Sequence, residues 1–84
     1  MKATILSTPN GNLSAKQLRT FRKFRRQLNE KVPEYQIVWV RPYNERIIEV
    51  RLEAQKKIGY RKMRQAAKVA IEVGDEADLT IIPG

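Results

Sequence analysis

Eighty-four residues with 42% apolar content suffice for one small hydrophobic core, and a single domain over residues 1–84 is expected. The absence of cysteine and histidine rules out disulfide staples, thiolate metal sites and the side chains that most often act as general base or thiol nucleophile near neutral pH. Seventeen Lys and Arg against nine Asp and Glu leave a net charge of +8, which draws polyanions and makes nucleic acid the first partner to consider, ahead of an acidic protein surface.

Taken in chain order, residues 2–7 (KATILS) read as a strand built on Ile5 and Leu6, followed by a turn-rich loop from Thr8 to Leu13. That apolar run is shorter than the core of a signal peptide, and no stretch approaches a membrane span. A soluble, cytoplasmic protein is therefore expected. Ser14 and Gln17 stand three apart, as a capping box requires, and Leu13 and Leu18 occupy the two positions of a hydrophobic staple. The helix they start runs to Val32 and is closed by Pro33. At 100° per residue its apolar face is Leu18, Phe21, Phe24, Leu28 and Val32, and its other face is Lys16, Arg19, Arg22, Lys23 and Arg26.

Glu34 to Arg41 is rich in aromatic and β-branched residues and predicts a strand. Pro42, Tyr43 and Asn44 read as a hairpin connection, and Glu45 to Leu52 as the returning strand, in which Ile48, Val50 and Leu52 alternate with Glu49 and Arg51. Both faces of the first hairpin strand are apolar, so alternation leaves its register open. With Val38 and Val40 toward the helices, Tyr35, Ile37, Trp39 and Arg41 point outward. Ala54 to Val73 has helical periodicity, weakened near Gly59 and secure from Tyr60, with Met63, Ala66, Ala67, Ala70 and Ile71 on one face. Gly74 suits a left-handed cap, and Ala77 to Pro83 forms a last strand on Leu79, Ile81 and Ile82.

The order βαββαβ predicts an α+β domain of ferredoxin-like architecture, a four-stranded antiparallel sheet with two helices on one face. This order resembles that of RNA-recognition modules and of small CRISPR-associated nucleases. The strands KATILS and ERIIEVRL carry none of the aromatics that the first family stacks on bases, and Ser7 stands where the second places an Asp. No family is assigned on topology alone.

The charge is concentrated in two segments, six basic residues from Lys16 to Arg26 and six from Lys56 to Lys68, neither containing an acid. On the first helix Arg19, Arg22, Lys23 and Arg26 share one face; on the second, Lys57, Arg61, Arg64 and Lys68 do so. Side by side, the two stripes are expected to track phosphates of DNA or RNA with little sequence preference. The second expectation is a protein-interaction module, docking an acidic partner or forming a homodimer through Tyr35, Ile37, Trp39 and Arg41. Glu72, Asp75, Glu76 and Asp78 match no metal-ligand spacing. No enzyme activity, metal or cofactor is expected.

Overall fold

A computed structural model describes residues 13–84. The elements are α1 (Ala15–Lys31), β1 (Tyr35–Asn44), β2 (Ile47–Ala54), α2 (Tyr60–Ala77) and β3 (Thr80–Pro83). The start of α1 is closed as its sequence predicts: the Gln17 amide donates to Ser14 Oγ at 3.1 Å, and the Ser14 amide donates to Gln17 Oε1 at 3.0 Å. Its inner face carries Phe21, Phe24 and Leu28, at most 2% exposed, and Val32 follows at the cap. These meet Val40, Ile48 and Val50 from the sheet and Ala66, Val69, Ala70 and Val73 from α2 in a single core. Both helices therefore cover the same face of the sheet, giving a two-layer molecule.

The expected four-stranded antiparallel sheet is corrected here. The sheet of the described residues has three strands in the order β1-β2-β3, with β1 and β2 antiparallel and β3 parallel to β2. In a ferredoxin-like sheet the strands on either side of the second helix are separated by the first strand. In this chain β3 occupies that neighbouring position itself. The Thr80 amide donates to Arg46 O, Gly84 donates to Val50 O, and Leu52 donates to Gly84 O. The strand expected at residues 2–7 lies outside the described residues.

Close packing of α2 explains how β3 reaches β2. Ala66, Ala70 and Gly74 stand four apart on the buried face, and at Gly74 the helix backbone comes against that of Leu79 and Ile81. Gly74 is thus not the terminating cap that the sequence suggests. The helix continues to Ala77, and Asp78 takes the left-handed conformation (φ 57°).

The ambiguous strand is resolved by a β-bulge. Ile37 pairs with Leu52 and Trp39 with Arg51, so Val38 is an extra residue on β1. The bulge lets Ile37 and Val40 both face the helices although they are three apart. Ile37 is 8% exposed, Tyr35 packs against the core, and Val38 is turned out. The expectation that Tyr35 and Ile37 point outward with Trp39 and Arg41 is corrected accordingly. Pro42 and Tyr43 also belong to β1 rather than to the turn, which is made at Glu45 and Arg46, where Asn44 Oδ1 accepts from the Arg46 and Ile47 amides. No helix among the described residues is long and apolar enough to cross a membrane.

Candidate nucleic-acid interface

The helices lie antiparallel: Lys23 of α1 is ion-paired with Glu76 near the end of α2, while Lys31 lines one groove with Arg61 and Arg64 near its start. This direction decides how the basic stripes combine. The first half of α2 carries Arg61, Lys62, Arg64 and Lys68, and its second half carries Glu72, Asp75 and Glu76. The basic start of α1 therefore sits beside the acidic end of α2.

The eight expected cations do not form one uniform field. Arg19, Arg22 and Arg26 are exposed along the crest of α1, with Arg26 toward the side where α1 meets β1. Lys23 is partly neutralised by Glu76. Arg61, Arg64 and Lys68 are brought together with Lys31 around a groove along α2. Lys57 lies exposed in the connection just before that helix. Lys31 escaped the sequence reading because it stands at the far end of the other helix; only the antiparallel packing makes it a neighbour of Arg61.

Tyr60 was also missed. It is the first residue of α2 and is 73% exposed. The Arg64 guanidinium stands 5.8 Å from the centre of its ring, one helical turn on. Ile71 follows at 62% exposure, with Ala67 half-buried between them. The spacing 60, 64, 67, 71 marks one edge of the helix, a signal present in the sequence but masked by the core periodicity beside it. Gly59 caps the helix without a side-chain hydrogen bond, and no acid stands in the first turn.

Below the groove, Lys62 lies 3.3 Å from the Glu34 carboxylate. A hydrogen bond to Glu34's own backbone amide, followed by the Lys62 ammonium, holds that carboxyl below its ordinary value. Lys62 is thereby spoken for, which leaves Arg61, Arg64 and Lys68 as the cations presented outward.

On the opposite side of the molecule the sheet is uncovered by any described element. Its outward row across the three strands is Arg41, Glu49 and Ile82. The Arg41 guanidinium lies 4.6 Å over the Trp39 ring, and its Nε donates to Glu49 Oε1 at 2.9 Å. Trp39 is half-buried, with one ring face occupied by a side chain that is itself tied to a carboxylate. Arg25, on the flank of α1, lies 5.8 Å from the Phe21 ring centre with its head group exposed, the arrangement of a snorkelling side chain. Among the described residues no group of three or more His, Cys, Asp or Glu could hold a metal ion.

Comparison with protein-family models, curated proteins and solved structures finds no match to this chain.

Proposed function

We propose that this protein binds nucleic acid with little sequence preference, holding phosphates mainly at the start of α2 and along the crest of α1. The observation that carries this reading is the convergence of Lys31, Arg61, Arg64 and Lys68 on one groove beside an exposed aromatic ring. Arg forks contact phosphate bidentately and keep their charge at any physiological pH. The lack of cysteine suits a reducing compartment, and we place the protein in the cytoplasm.

Reversing three charges, Arg61→Glu with Arg64→Glu and Lys68→Glu, tests the reading. Affinity for short oligonucleotides should fall by at least tenfold, and the log-log salt slope should shrink by roughly 2 to 3, the share of about three phosphates. Far-ultraviolet circular dichroism should not change. Unaltered affinity in the folded variant would remove this groove as the site. The matching triple at Arg19, Arg22 and Arg26 should weaken binding less, because the start of α1 lies beside acids of α2.

A second reading is a protein-interaction module acting through the outward sheet face, with an acidic partner or a second copy of the chain. It rests on Trp39, Val38 and Ile82 being presented on a face that no described element covers. Under this reading Trp39→Ala abolishes concentration-dependent association in sedimentation equilibrium. A folded variant that still associates would take the sheet face out of consideration.

A further inference from the structure

We propose that the groove along α2 selects single-stranded over duplex nucleic acid, with Tyr60 as the platform on which an unpaired base stacks. This inference rests on the phosphate-binding reading above and goes beyond it by naming the substrate class. The two sides of the groove have different chemistry. Lys31, Arg61 and Lys68 supply charge along one side; Tyr60, Ala67 and Ile71 supply an apolar edge along the other. A duplex offers a protein its phosphates and groove edges but keeps the faces of its bases stacked. It would have no use for an exposed ring and an exposed isoleucine beside the cations. A single strand offers both components at once, charged backbone and bare π-faces, and every base has such a face.

The Tyr60 ring is suited to the task in a way the other candidate aromatic is not. Arg64 lies over one face of it, at 5.8 Å and with no ion pair among the described residues holding it there, and the residue is 73% exposed. Trp39 has the Arg41 guanidinium closer over its ring, at 4.6 Å, with Glu49 holding that guanidinium in place. From Tyr60 to Ile71 the apolar edge runs about 16 Å along the helix at 1.5 Å per residue. It ends at acids: Glu72 lines the groove, and Asp75 and Glu76 follow on α2. Those carboxylates repel a polyanion and direct the strand toward Lys31 and the start of the helix. The same rim argues against a second copy of the chain as the occupant. Two molecules of charge +8 would bring four like charges of one groove against four of another.

The test is a set of affinities at low salt for single-stranded DNA, single-stranded RNA and hairpin duplexes of matched length, using the native chain, Tyr60→Ala and Tyr60→Phe. The native chain should prefer single strands of both sugars. Tyr60→Ala should weaken single-strand binding about tenfold, the size expected for losing one stacked base, with the salt slope and duplex affinity unchanged. Tyr60→Phe should retain native affinity, because the ring and not the hydroxyl does the stacking. Trp39 emission should stay constant through the titration, since that residue is on the other face. Equal losses on duplex and single strand, no loss in Tyr60→Ala, quenching of Trp39, or dissociation of a dimer by Tyr60→Ala would each overturn the stacking role. The first two would leave the phosphate-binding reading standing. Failure of the native chain to bind any oligonucleotide at low salt would reject that reading itself, and this inference with it.

Discussion

Gly74→Ala should destabilise the fold by about 2 to 3 kcal/mol, the scale of overpacking in a dense interior. The usual expectation has the opposite sign, since alanine is favoured over glycine inside a helix by about 1 kcal/mol. A Cβ built on Gly74 lies 2.6 Å from the carbonyl oxygen of Leu79, which is backbone and cannot rotate away. The same stretch is bound tightly: the Leu79 amide donates to Gly74 O at 2.8 Å, and Ile81 N is 3.6 Å from the Cβ position. To admit the methyl group, α2 must lift from the start of β3, and that strand pairs with β2 over only four residues. Urea denaturation followed by circular dichroism reads the change, with Gly59→Ala as the control. A Cβ at Gly59 meets nothing within 4 Å, so that variant carries no clash and should lose only the preference for glycine over alanine at an N-cap, about 1 kcal/mol or less. A native-like midpoint for Gly74→Ala would mean that helix and strand are not in backbone contact.

Gly74 also shows where sequence reading stops. A glycine after a periodic apolar run fits both a helix cap and a close backbone approach, and only the position of β3 separates the two. The parts of the fold set by local chemistry were legible. The capping box of Ser14 and Gln17, the inner face of Phe21, Phe24 and Leu28, and the alternation of Ile48, Val50 and Leu52 all depend on residues a few positions apart. The bulge at Val38 was not, because one inserted residue shifts a period-2 pattern and leaves apolar side chains on both faces. The pairing of β3 with β2 was not legible either, since it joins segments more than thirty positions apart and competes with any other edge the chain could supply.

The candidate site divides in the same way. The two basic segments were visible as runs of like charge, and Arg61, Arg64 and Lys68 fell on one helical face as their spacing requires. What the runs do to one another depends on helix direction. Antiparallel packing sets Lys23 against Glu76 and gives Lys31 to the opposite cluster. Of the two aromatics near the charge, the one with the stronger sequence signal, Trp39, is stacked by Arg41. Tyr60, exposed at a helix start, belongs to an edge whose spacing is overlaid by the core periodicity beside it.

Gln17 predicts the second large effect, because one buried side chain serves three partners. It is 3% exposed. Its Oε1 accepts from the Ser14 amide, and its Nε2 donates to Asn44 O at 2.8 Å and Glu45 O at 3.3 Å. The start of α1 is thus tied to the hairpin turn 27 and 28 positions away. Gln17→Leu keeps much of the volume but leaves the Ser14 amide and two carbonyls without this partner, which should cost about 2 to 3 kcal/mol. Gln17→Glu separates the donor role from the acceptor role. The carboxylate can still accept from Ser14, but it faces two carbonyl oxygens from a buried site, so at neutral pH the variant should be less stable than Gln17→Leu by a further few kcal/mol. Burial and the carbonyls raise the carboxyl's folded-state pKa above its unfolded value. Its penalty is therefore full above the folded pKa and shrinks as pH falls through it, where the protonated acid can again donate to Asn44 O. Thermal melts of both variants between neutral and mildly acidic pH should show the Glu variant rising toward or above the Leu variant on acidification. Parallel curves for the two would mean that the side chain at this position is solvated and that the turn is held by other contacts.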